Sequence, residues 1–217
     1  MQTVIDTIRK QRGEQQADML IIHGSEVSEL ESKGENIPQK GGGPGRGIFQ
    51  YELTSDGGSG AAKDALVRYK RFYSDEGYGG VMPENYAKEL EGVDMKNPDF
   101  TKLSPELQTE IFYADKEQKE KFPLDALGTD AFTLEDAWLD QHWVGNGDEK
   151  EKNNKRDYYN KTMGFSEPNQ QELNANNDEA ILLQAKKNAS QVVAKNFNIF
   201  NIMNDLGQDF EEFKEEK

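Results

Sequence analysis

The chain of 217 residues has no cysteine. That excludes disulfides, a thiolate metal site and a catalytic thiol, and it leaves the redox compartment unread. Histidine is nearly as scarce. Only His23 and His142 are present, which argues against zinc, and no pattern calls for a nucleotide or redox cofactor. Basic residues are few: 26 Lys and Arg stand against 41 Asp and Glu, for a formal net charge of −15. Such a chain is poorly suited to displace counterions from phosphates, so nonspecific nucleic-acid binding is disfavoured. An anionic membrane surface is disfavoured for the same reason. No window approaches the ~20 apolar residues of a membrane span. The opening MQTVIDTIRKQRGEQQ lacks the apolar run of a secretory signal, so a target outside a cytoplasm would require another means of delivery.

What is present is 34% hydrophobic and 10% aromatic residues. A lean core with large aromatic faces fits one globular domain plus an extended piece. Almost nothing alternates with the period of a strand, apart from a short extended piece around 47–53. Helical patterns recur instead, and there are no internal repeats. Val4, Ile5 and Ile8 predict a short helix ending near Gly13. A second helix is expected from Asp18, as N-cap, to Ser32, with Gly34 as its stop and Glu31 in its last turn. Further helices are predicted over 61–73, from Pro83 to Gly92, from the Ser104 cap with Pro105 at the first position, and from Thr133 with Asp136 completing a near capping box. Residues 148–177 are polar and asparagine-rich and read as a connecting loop. Apolar periodicity returns at 178–217, where one long or two shorter helices are expected.

The stretch LESKGENIPQKGGGPGRGIFQYE, residues 30–52, poses the functional question. A glutamate at a helix C-terminus feels the negative end of the helix dipole, and partial burial adds desolvation. Both raise its pKa, as a general acid near neutral pH requires. The loop that follows is not a phosphate cradle of the Walker type, because Gly-Lys-Ser/Thr is missing. Pro44 and Arg46 make it stiffer than a Gly/Ser tether.

Glu31-Ser32, followed by Gly47-Ile48-Phe49-Gln50, resembles the lytic transglycosylase and goose-type lysozyme superfamily. The form GPGRGIFQYE resembles most the virion-associated murein-degrading domains of tailed phages, in which a segment like AWLDQHWVGN follows; here it supplies Trp138, His142, Trp143 and Gly145. The resemblance covers about residues 15–147 and implies a lysozyme-like domain over 1–147. That fold is mainly α (α+β, with very little β), with a groove for glycan strands of peptidoglycan.

The resemblance implies that Glu31 is the catalytic acid and base. One glutamate would protonate the glycosidic oxygen between N-acetylmuramic acid and N-acetylglucosamine. The substrate's acetamido group would stabilise the cationic centre, and no cofactor would be needed. Ser32, Gly47, Gln50, Tyr51, His142 and Trp143 would line or support the groove. Tyr51 and Phe49 offer either a stacking face or core packing, and for Phe49 packing is the better fit. Trp138 and His23 are read as structural. A hydrolytic variant would need a second acid, for which Glu52 and Asp56 are candidates by proximity. The implied setting is a phage virion, in the tail or internal core, acting on the host cell wall. The C-terminal helices would then contact other virion proteins. A reading from a different class is a structural or ejection protein of the virion that keeps this fold with weak or no activity.

Overall fold

The computed structural model describes residues 3–53, 60–74, 77–141 and 149–164. Among them are seven α-helices and one two-stranded sheet. α1 spans Val4–Arg12, α2 Glu14–Ser32, α3 Ala61–Phe72, α4 Glu84–Glu91, α5 Pro105–Gln118, α6 Leu134–Gln141 and α7 Glu149–Met163. β1 is Gly45–Arg46 and β2 is Tyr51–Glu52, paired antiparallel with Gly45 opposite Glu52 and Arg46 opposite Tyr51. The mainly α expectation holds.

Several start and stop signals act as predicted. The Ser104 hydroxyl accepts from Leu107 N at 3.2 Å, with Pro105 at the first helical position. Thr133 and Asp136 exchange backbone-to-side-chain hydrogen bonds at 3.2 and 3.1 Å, a capping box built on aspartate. α1 carries a second such box, Thr3 with Asp6.

Three expectations need correction. Asp18 is not a cap. α2 begins at Glu14, directly after Gly13, whose φ of +100° turns the chain within one residue. Glu14, Gln15, Gln16 and Ala17 are good helix formers and extend the helix back to that glycine. The extended piece at 47–53 is mostly turn. Residues 47–50 connect the two strands, and only Tyr51 and Glu52 pair.

The third correction is the largest. Residues 149–163 were expected to be loop and form α7. Its buried side is made by Tyr159 and Met163, with Tyr158 half out of water, so the chain carries no aliphatic stripe to betray it. Glu, Lys and Arg supply helix propensity. The folded unit therefore runs past the expected boundary at 147. The C-terminal segment 178–217 and residues 54–59, including Asp56, lie outside the described residues.

α5 sits at the centre, with α1, α2 and α3 against it. Phe112 is fully buried there and stacks on Phe49 with ring centroids 4.3 Å apart. His23 lies 5.6 Å from the rings of both Phe112 and Phe122. An ionic knot ties the hairpin to this core. Asp115 accepts from Arg68 at 2.6 Å and from the Tyr51 hydroxyl at 3.0 Å. Lys116, 1% exposed, lies 3.7 Å from Asp115 and over the Phe112 ring at 5.0 Å. Burial pushes its amine down to about 8, opposed by Asp115. On the far side of α2, α6 and α7 pack against each other and against the end that carries Glu31.

Candidate functional site

α2 stops where the sequence says it should. Ser32 is its last residue, and Lys33 takes the left-handed conformation at φ +59°. Gly34 N then donates to Ser28 O at 3.1 Å, closing the orphan carbonyls of the last turn. Glu31 is thus held in the final turn and is half-buried.

The indole N–H of Trp138, from α6, donates to Glu31 Oε1 at 2.8 Å. Trp138 is 1% exposed, and a buried indole needs an acceptor for its one polar atom. That the acceptor is Glu31 was not legible in the sequence, where Trp138 read as core. Oε2 of Glu31 takes no hydrogen bond among the described residues. Burial pushes the Glu31 carboxyl above the ordinary carboxylate range. The Trp138 N–H and the Lys155 charge on α7 oppose this rise, and the negative Glu52 on β2 adds to it. Position in the last turn acts in the same direction as burial.

The loop between α2 and the hairpin is a braced structure. Ser32 donates to Ile48 O at 2.7 Å, fastening the helix end directly to the turn. Gln108, fully buried on α5, accepts from Ile48 N at 2.8 Å and donates to Leu103 O at 2.9 Å and Asn36 Oδ1 at 3.1 Å. Arg46 spends its guanidinium on the loop's own carbonyls, Gly43 O at 2.8 Å and Gly45 O at 2.7 Å. The glycine at 47 has a local reason. Its φ is +78°, and a Cβ there would lie 2.1 Å from the Gln108 carboxamide oxygen.

Glu31 and Ser32 lie together at the end of α2. Gly47 and Gln50 are brought to that end, but as supports rather than as an exposed face. Gln50 is 7% exposed, with φ +49°, and its amide donates to Gly47 O at 2.7 Å and Ile37 O at 3.0 Å. Its amide N–H groups are thus engaged with backbone. Tyr51, 4% exposed and bonded to Asp115, packs edge-on to Phe100, so it is core rather than a stacking face. Phe49 is core as expected. His142 and Trp143 lie outside the described residues. Glu52 is exposed on β2, close enough for its charge to act on Glu31.

Sequence reasoning missed the contribution of α7. Tyr159 stacks on Trp138 at 5.8 Å and donates to Glu26 Oε2 at 2.8 Å. Tyr158 donates to Leu30 O at 2.9 Å, one residue before the acid. Burial pushes the Glu26 carboxyl up to about 7, against the pull of the Tyr159 hydroxyl. The pair Tyr158-Tyr159 in an otherwise polar segment was the available signal. Among the described residues, no cluster of three potential ligands is arranged to hold a metal ion, and no helix is long and apolar enough to cross a membrane. No family model, curated protein or solved structure matches this chain.

Proposed function

We propose that the protein cleaves the β-1,4 bond between N-acetylmuramic acid and N-acetylglucosamine in peptidoglycan, with Glu31 as general acid and then base. The observation that carries this reading is the state of Glu31. It is a half-buried carboxyl at a helix C-terminus, raised in pKa and, among the described residues, held by one hydrogen bond with its other oxygen unengaged. A carboxyl of that kind stays protonated nearer neutral pH than an exposed one and can deliver its proton.

In the proposed reaction, Glu31 gives its proton to the glycosidic oxygen as the bond from that oxygen to C1 of the muramoyl residue breaks. The leaving sugar departs as an alcohol. The substrate's acetamido oxygen stabilises the cationic C1. The Glu31 carboxylate then takes a proton from the muramoyl 6-hydroxyl, which closes on C1 to give a 1,6-anhydro end. If water is the acceptor instead, the product is a reducing end, and Glu52, whose charge acts on Glu31, is the candidate second acid. The braced loop supports the reading because it fixes Glu31 against the hairpin through Ser32 and Ile48. Carriage in a phage virion, with partner contacts through 178–217, belongs to the same proposal and rests on the resemblance.

Turbidity clearing and zymography on purified peptidoglycan, wild type beside E31Q, test it. The expected result is clearing by wild type and a fall of about 10³-fold in E31Q. Mass analysis of the products separates 1,6-anhydro from reducing ends. Wild-type protein that leaves peptidoglycan intact between pH 4 and 8 would overturn the enzyme reading in favour of a particle component.

A further inference from the structure

We propose that Trp138 is a positioning residue for Glu31: its indole N–H fixes the carboxyl by Oε1, so that Oε2 is the oxygen that carries and transfers the proton. The inference rests on the reading of Glu31 as the acid, and it goes further by assigning roles to the two oxygens and to a residue the resemblance does not place in the site.

The geometry carries the argument. The Trp138 N–H donates to Oε1 at 2.8 Å, from a side chain that is itself 1% exposed. An oxygen that accepts a hydrogen bond in the neutral acid is the carbonyl oxygen, because the hydroxyl oxygen of a carboxylic acid is the weaker acceptor. Oε1 is therefore the C=O, and the proton resides on Oε2, which takes no hydrogen bond among the described residues. After transfer, the same N–H meets a full carboxylate and strengthens, since bonds to charged acceptors are roughly twice as strong as neutral ones. Trp138 thus favours the charged product of the acid step without engaging the reacting oxygen.

The indole is itself held. It stacks on Tyr159 at 5.8 Å and 29°, and Tyr158 lies 6.2 Å away. Tyr159 is anchored through its hydroxyl to Glu26 on the same helix as Glu31. A closed path results: Glu31 to Trp138, Trp138 to Tyr159, Tyr159 to Glu26, and back along α2. Among the described residues, the other charged groups whose fields reach Glu31 are Lys155 on α7 and Glu52 on β2. Lys155 opposes the rise of the Glu31 carboxyl and Glu52 adds to it.

The direct test is the titration of the Glu31 side-chain carbon by carbon-13 NMR, assigned by its absence in E31Q. It is run on wild type and on W138F, which keeps a ring and removes the N–H. A second variant carries 3-benzothienylalanine at position 138. This isostere of tryptophan lacks the N–H and preserves packing if phenylalanine does not. Loss of a hydrogen bond to the carboxylate raises the acid's pKa, so the Glu31 midpoint should move up by about one pH unit. With activity in hand, kcat should fall about tenfold or more with KM little changed, and the alkaline limb of the pH profile should move up with the midpoint. An unmoved Glu31 midpoint in the isostere variant overturns the proposal, whatever the activity. Absence of glycosidase activity in wild type would instead overturn the assigned reaction, and the titration would still decide whether Trp138 holds Glu31.

Discussion

Glu26 and Glu31 share one helix, little more than a turn apart, and burial raises both carboxyls. Their surroundings differ. Glu26 is 5% exposed and sealed beneath Tyr159. Glu31 is half-buried and, among the described residues, takes a single side-chain hydrogen bond, from Trp138. Glu110 on α5 repeats the first case: it is buried, accepts from Val4 N at 2.8 Å and is pushed up to about 7. A raised pKa therefore reports burial, and among the described residues four carboxyls have one, Glu135 on α6 being the fourth. What separates Glu31 from Glu26 and Glu110 is a side chain that water can reach.

The largest expected effect is a contrast between neighbours. E31Q should abolish peptidoglycan clearing by about 10³-fold, and E26Q should leave it within about threefold, read by zymography on matched, folded protein. Equal losses would mean that burial rather than access defines the site.

The second effect is on stability. A carboxyl whose folded pKa lies above its unfolded value binds more protons folded than unfolded. Its stabilisation is fully present below the unfolded value and is lost as pH rises to the folded one. For Glu26 that window runs from 4.5 to about 7. The loss is on the order of 3 kcal/mol, and Glu110 adds a comparable slope over the same range. Urea unfolding at pH 5 and pH 8 should show wild type less stable at pH 8, and E26Q should remove the Glu26 share.

The third effect tests the brace beneath Glu31. Gly47→Ala puts a Cβ into left-handed backbone and against Gln108, at a cost of about 2–3 kcal/mol. Thermal unfolding measures it. The smallest is Tyr158→Phe, which removes one hydroxyl from Leu30 O and should cost about 1 kcal/mol, because that contact is partly solvated.

Much of the helical frame was legible because its signals are local. Pro105 after Ser104, Thr133 with Asp136, and Gly34 after Ser32 each fix an end through hydrogen bonds made within a few residues. The position of Glu31 at the end of α2 was readable for the same reason. α7 was not, because its contacts are phenolic and its side chains otherwise polar, so a search for apolar periodicity passed over it. The supporting roles of Gln50 and Tyr51 depend on Ile37 and Asp115, which no local pattern brings near. Trp138 was legible as buried but not as a donor, since an acceptor 107 residues away leaves no mark on the sequence around it.

That distance has a consequence in time. The bonds that set the end of α2 close loops of 107, 128 and 133 residues. At ribosomal rates of about 5–20 residues per second, Glu31 emerges roughly 5–20 s before its indole partner exists. During that interval α2 can coil but its acid has no fixed orientation. The carboxyl is set only when α6 and α7 arrive, so the geometry around Glu31 should form late and all at once, once α7 has been synthesised.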